Sequence, residues 1–296
     1  MANTALARIA DQPQLDEIAK PLGQAVVSAY RNAGAVGGAL KNALHGVWLG
    51  HPLHPVLTDI PIGAWTTALA LDAKAAASGD DSYTRAADFA LAFGLAGAVG
   101  SAVTGLTDWS ETDGRAKRVG LLHGLLNVAA TTLVATAYVL RRRDDRGTAQ
   151  ALAVAGISLA TAGAYLGGDL VYGERIGVTH AAVDEPETFT PVLPSADLAD
   201  GTMRRARSGD LDVLLVRQQG RACALAHPCA HLGGPLSEGE LKDGTVVCPW
   251  HGSEFRIDDG AVVNGPSTHP QPCLGVRERH GQIEAGPSMV SPTRNG

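Results

Sequence analysis

The chain has 296 residues, a formal net charge of −6, 45% apolar side chains and 4% aromatic ones. That length suffices for two domains, and an acidic balance without any basic patch interleaved with aromatics excludes nucleic acid as an expected partner. The mean hydropathy of +0.03 averages two unlike parts, because every long uncharged stretch lies before residue 170 and the polar, strand-like material lies after it.

Residues 1–45 lack the cationic start and apolar core of an export signal, and Asp11, Asp16 and Glu17 come too early for one. Leu15, Ile18, Leu22, Val26 and Ala29 recur at helical spacing, with Asp16, Glu17, Lys20 and Gln24 between them. This pattern predicts an amphipathic helix lying on a membrane surface or against a bundle.

Residues 46–180 read as a transmembrane bundle. The first uncharged stretch, 60–71, has 12 residues before Asp72 and Lys74, which is short for a crossing. The next three, 89–107, 119–140 and 147–168, have 19, 22 and 22, against a requirement of about 20. Three clear spans and one marginal one predict an α-helical bundle of about four helices. Gly94, Gly97, Gly100 and Gly105 thread the second span, and Gly163 and Gly167 form a GxxxG pair in the fourth. Small residues let backbones approach where lipid gives no hydrophobic drive, so close contact within the chain is expected more than a dimer face.

Four histidines in or beside this half need weighing: His45, His51, His54 and His123. Ionisable groups inside a membrane usually face the bundle interior. Two histidines on facing helices are how a b-type haem is held, which makes His54 and His123 candidates for haem or for a quinone pocket. The plainer alternative is structural, with imidazoles bonding carbonyls beside prolines or on a neighbouring helix. Lysines and arginines near the span ends divide five against six, Arg141, Arg142 and Arg143 among them, which does not decide orientation.

The motifs HPLHPVLTDIPIG, ahead of the first span, and GGDLVYGERIGV, residues 167–178, make this half resemble a family of bacterial membrane proteins of unestablished function, the DUF2231 type. Where many members carry a histidine before the Phe-Pro of the first motif, this chain has Asp59, so no role of that histidine transfers.

Residues 181–200 are acidic and carry Pro186, Pro191 and Pro194, which suits an extended tether between domains. From residue 201, short valine- and leucine-rich runs at 213–216, 222–226, 246–248, 255–257 and 283–285 alternate with glycine turns and predict an antiparallel all-β sandwich over 201–287. Residues 288–296 read as a flexible tail. Cys223 and Cys273 fall in predicted strands as small packing residues, with a disulfide between them left open. His180 and His227 are expected at the surface.

Residues 229–251, CAHLGGPLSEGELKDGTVVCPWH, carry the chemistry. A CxH pair, Cys229 and His231, is followed after sixteen residues by a CxxH pair, Cys248 and His251. Two thiolates and two imidazoles on glycine- and proline-stiffened loops form a metal-ligand set. Zinc remains an alternative, although zinc fingers commonly pair cysteine with cysteine and histidine with histidine.

The stretch resembles the Rieske [2Fe-2S] family, through these four residues, the loop residues Gly233, Gly234 and Pro235, the CPWHGSEF run ending at Phe255, and a covering Gly265 and Pro266. The resemblance implies that the two cysteines hold one iron and the two histidines the other. It also implies that Gly234, Pro235, Pro249, Trp250 and Pro266 shield the cluster and that Ser253 hydrogen-bonds to it. High-potential members carry a disulfide and a tyrosine where this chain has Gly234, Trp250 and Phe255. A ferredoxin-like potential is therefore expected, toward the lower part of roughly −150 to +300 mV.

Together these residues predict an inner-membrane-anchored carrier that passes single electrons between a redox protein or quinone and a membrane component, with the cluster domain on the cytoplasmic side. The alternative is a haem- or quinone-dependent oxidoreductase with the cluster as its relay. A Rieske oxygenase is not expected, since residues 201–296 leave no length for a mononuclear iron domain.

Overall fold

The computed structural model describes residues 5–181 and 186–288; residues 182–185 of the expected tether and 289–296 of the expected tail lie outside the described residues. Two compact units emerge, one of Met1–Leu40 with Pro52–Ile176 and one of Lys41–His51 with Gly177–Gly296.

The first unit is helical. Two short N-terminal helices, α1 (Ala5–Ala10) and α2 (Asp16–Asn32), precede α3 (Gly34–His45), which runs across the division between the units. Four long helices follow: α4 (Leu53–Ser78), α5 (Asp81–Ser110), α6 (Gly114–Arg141) and α7 (Arg146–Gly168). Their starts are capped where the sequence supplies an acceptor, Asp80 taking the Ser82 N–H at 2.8 Å and Asp145 the Thr148 N–H at 3.2 Å. Among the described residues, three helices are long and apolar enough to cross a membrane: α5, α6, and α7 with its continuation to Gly173. The marginal span, α4, is nonetheless 26 residues long.

The reason α4 continues past its charges is visible at its end. Asp72, 6% exposed, accepts two hydrogen bonds from the guanidinium of Arg141, 3% exposed, which also donates to Asp88 at 3.1 Å. A buried charge is tolerable only when paired in this way. Arg141 therefore does not act as a free loop cation, which removes one charge from the five-against-six count.

Glycine lets α4 lie along α5. A Cβ on Gly94 would run into Trp65, one on Gly97 into Ile60, and one on Gly105 would stand 2.7 Å from His54 Cε1. In α7, a Cβ on Gly156 would stand 2.8 Å from Val134 and one on Gly163 2.8 Å from Asn127. Bulky side chains point the other way: Phe89, Phe93, Val99, Val128 and Val154 are all exposed, the face that lipid would cover.

In α2 the expected apolar stripe is not the face turned toward the bundle. Ile18 and Leu22 are exposed, whereas Ala19 and Gly23 are buried. The small residues permit close approach to α5 and α6, and the large ones are left outward, as a helix at a membrane surface requires.

The second unit is built on antiparallel β-structure. Its strands are β1 (Thr190–Pro194), β2 (Thr202–Ser208), β3 (Leu211–Gln218), β4 (Arg221–Ala226), β5 (Glu240–Lys242), β6 (Thr245–Val247), β7 (Glu254–Arg256), β8 (Val262–Asn264), β9 (Cys273–Arg279) and β10 (Gln282–Gly286). One sheet has the order β1-β10-β9-β4-β3-β2 and the other β5-β6-β7-β8. Within the expected tether, Thr190–Pro194 is an edge strand paired with Ala285 to Gln282; its prolines suit an edge, where N–H groups need no ladder partner. Central β3 is buried on both faces. Leu214 and Val216 pack with Leu225, Val246, Phe255 and both Cys229 and Cys248, while Val213 and Leu215 pack with Leu274 and Ile283.

Candidate metal centre

The two motif loops leave the strands at β4 and β6. In the first, the Cys229 N–H donates to Gly234 O and the Gly233 N–H to Cys229 O, both at 2.8 Å. Gly233 has φ +77°, a left-handed turn that a side chain would strain. In the second, the Cys248 N–H donates to Ser253 O at 2.8 Å and the Gly252 N–H to Cys248 O at 3.1 Å. Each loop thus fixes the backbone on either side of its cysteine.

The four donors stand as two pairs. Cys229 and Cys248 are 1% and 4% exposed, and their sulfurs share a hydrogen bond. That bond, helped by the main-chain N–H groups of Trp250 and His251, brings Cys248 down to about 6. The same bond, together with burial, pushes Cys229 up. His231 and His251 meet edge to face, ring centroids 5.1 Å apart at 87°. His231 Nδ1 is buried with no hydrogen-bond partner among the described residues. Burial, then the neighbouring His251, His45, His180 and Lys41, hold His231 well below the usual imidazole range, the direction metal ligation needs.

These residues fit a [2Fe-2S] cluster. Two imidazoles sharing one tetrahedral ion at about 2.0–2.1 Å have centroids about 5 Å apart, matching the observed pair. A thiol pair beside an imidazole pair is the division two irons require.

Around them, Gly234 is buried, and a Cβ on it would lie 2.9 Å from Cys248 Sγ and 3.1 Å from the Trp250 ring. Pro235 is half-buried and Pro266 buried, while Pro249 and Trp250 are exposed, the Trp250 ring 6.4 Å from His251. Ser253 is fully buried, and its Oγ accepts the Ser267 N–H at 3.0 Å, which leaves the hydroxyl proton free to donate elsewhere. Phe255 is fully buried.

The sequence reading missed Gln271. Its Oε1 accepts the Ala230 N–H at 2.8 Å, and its Nε2 donates to Ala226 O and Pro228 O at 2.7 Å. It is 1% exposed and pins the first loop; a lone glutamine between prolines gave no periodic or motif signal. His227, expected at the surface, is 5% exposed and bonded to Ser237 Oγ at 2.8 Å, because it sits between a buried strand and the first loop. His180 is half-buried, its N–H donating to Ala230 O at 2.9 Å. Cys223 and Cys273 are free thiols, Cys223 raised by burial and Cys273 pushed up to about 12 by burial.

The bundle holds a second histidine pair. His54 and His123 meet edge to face with ring centroids 6.2 Å apart at 86°. His54 Nδ1 lies 2.8 Å from Ser101 O and His123 Nδ1 2.8 Å from Gly163 O. A carbonyl only accepts, so each Nδ1 carries a proton. Asn127 Nδ2 donates to His123 O at 2.8 Å and lies 3.4 Å from His123 Nε2. His51 is exposed and His45 buried; neither joins this pair.

Comparison with known proteins places these two regions. Residues 50–180 match the family described as Predicted membrane protein (DUF2231), and residues 188–275 match the Rieske [2Fe-2S] domain. Over 70 residues the chain is 46% identical to mouse (Mus musculus) apoptosis-inducing factor 3, spanning 24% of this chain and only 12% of that protein. Over 98 residues it is 30% identical to ferredoxin CarAc of Metapseudomonas resinovorans, spanning 33% of this chain and 92% of the ferredoxin. A solved complex of reduced oxygenase and oxidized ferredoxin in carbazole 1,9a-dioxygenase matches at 28% identity and a TM-score of 0.32, over 33% of this chain and 92% of the matched one. The membrane-family match and the three apolar helices together point to a membrane protein.

Proposed function

We propose, since this chain belongs to the Rieske [2Fe-2S] family through its residues 188–275, that it is a membrane-anchored one-electron carrier. The observation that carries this reading is the thiol pair beside the imidazole pair, at the geometry given above, on two rigid loops. A [2Fe-2S] cluster bound there supplies reversible one-electron chemistry. Cys229 and Cys248 would hold one iron, and His231 and His251 the other, His231 through the nitrogen left without a partner. Gly234 makes room beside Cys248, and Pro235, Pro249, Trp250 and Pro266 exclude water. Ser253 directs its hydroxyl proton toward the thiolate side. Phe255 offers no second hydroxyl, which favours a low potential, as in ferredoxins.

The electron would come from, or go to, a soluble redox protein on one side and a membrane component on the other. The similarity to ferredoxin CarAc supports a protein partner. Residues 46–180 serve as the anchor, with the cluster domain on the cytoplasmic side, where loops without a disulfide suit a reducing compartment. Purified His231→Ala protein tests the ligand set: iron and acid-labile sulfide should both be lost while the helical content of residues 46–180 persists. Retention of both would refute the assignment.

One observation favours a second reading, in which the bundle is itself a redox site. His54 and His123 lie with ring centroids 6.2 Å apart, each Nδ1 against a backbone carbonyl, and in this reading these two residues would hold a b-type haem, which would supply a second one-electron centre. A dithionite-reduced minus oxidised spectrum decides: a sharp α-band establishes the second centre, and its absence from protein made in haem-replete cells removes it.

A further inference from the structure

The segment Lys41–His51 belongs to the same compact unit as the β-strands, although neither the membrane motif nor the cluster motif uses it. Asn42 joins it to the covering loop at two points. Its Nδ2 donates to Asn264 Oδ1 at 2.9 Å, and its Oδ1 accepts the Gly265 N–H at 2.9 Å. A Cβ on Gly265 would stand 3.1 Å from Val47 Cγ2 and 3.5 Å from His45 Cδ2, so the segment lies in van der Waals contact with this loop. Gly265 and Pro266 are both buried, as is His45 at 2% exposure. Lys41 and His45 are also among the groups whose charge bears on His231. On its outer side Trp48 is 69% exposed, its Nε1 donating to Ala43 O at 3.1 Å.

We infer that Asn42 is a positioning residue for the cluster, fastening Lys41–His51 as an in-chain cover over the Gly265–Pro266 loop beside His231. This rests on the cluster assignment above. The cover limits approach to the imidazole side of the tip, so an outside electron partner meets this segment, Trp48 included, before it meets the histidines. It also keeps the Lys41 charge beside the cluster, which favours the reduced, more negative state and raises the potential.

The test is electron exchange between reduced full-length protein in detergent and ferricyanide, each event moving one electron from the cluster to the oxidant with no proton transferred. Asn42→Ala removes both hydrogen bonds, and exchange should quicken about tenfold as the cover opens, while the midpoint potential falls. Asn42→Asp keeps the acceptor for the Gly265 N–H and should recover most of the native rate. Asn264→Ala, which removes one bond from the other side, should give a smaller change of the same sign and serves if Asn42→Ala assembles poorly. Amide exchange at residues 262–266 should accelerate in parallel, a readout that needs no electron transfer. Native rate, potential and amide protection in both alanine variants, with iron and sulfide intact, would overturn the inference. Unmodified protein holding zinc and no acid-labile sulfide would instead sink the cluster assignment, leaving amide exchange to judge the cover.

Discussion

The tip and the bundle of this chain each hold two histidines edge to face, at 87° and 86°, and differ in what surrounds them. At the tip the rings are 5.1 Å apart on loops, beside two buried cysteines, and His231 Nδ1 is the nitrogen without a hydrogen bond. In the bundle the rings are 6.2 Å apart on helices, and both Nδ1 atoms are spent on carbonyls. The angle between two rings therefore says nothing about ligation. Separation says more: about 5 Å suits two ligands on one tetrahedral ion.

The largest expected effect breaks the tip pair alone. Cys248→Ser should abolish the cluster, read as loss of iron, sulfide and the visible spectrum, and leave any haem band unchanged. Next in size is the bundle's ion pair: Asp72→Ala leaves the buried Arg141 charge with Asp88 alone, and should cost up to about 3–5 kcal/mol in the bundle's unfolding, without altering the cluster's EPR signal. Gly105→Val places methyls where His54 sits and should cost roughly 1–3 kcal/mol; it also displaces one ring of the bundle pair, so a haem band, if present, should shift or vanish while the cluster spectrum stays.

A gentler change sharpens the tip. Phe255→Tyr places a hydroxyl where high-potential relatives carry one. A hydrogen bond worth about 1 kcal/mol would raise the midpoint by roughly 40 mV for one electron, measured by redox titration. The smallest effect lies away from both pairs. Asp212 is held below its usual value by its hydrogen bond to Arg205, so its stabilisation is full above the unfolded carboxylate value and is lost as pH falls through the lowered one. Arg205 is exposed and Asp212 partly so, and Asp212→Asn should cost under about 1 kcal/mol at neutral pH, a difference in thermal midpoint that shrinks toward pH 3.

The cluster loops could be read from the sequence because chemistry constrains them locally: the CxH and CxxH pairs, Gly233, Gly234 and Ser253 lie within a few residues of each other. The three apolar spans were equally legible, since twenty uncharged residues leave few alternatives. What could not be read depends on distant partners. Asp72 looks like the end of a span until Arg141 is placed against it, 69 residues on. The apolar stripe of α2 gave the helix but not the side it buries, because Ala19 and Gly23 matter only once α5 and α6 arrive. Gln271 and Asn42 are single polar residues whose roles arise from loops 41 and 223 residues away. No window of sequence contains such pairings.

Whether two thiols and two imidazoles at the tip share a binuclear iron–sulfur centre is decided by anaerobically purified full-length protein, assayed for iron, acid-labile sulfide and zinc and examined by EPR before and after dithionite. The expected result is iron and sulfide in equal amounts, silence when oxidised, and a rhombic signal on reduction that disappears in His231→Ala. Zinc without sulfide, and silence in both states, would contradict it.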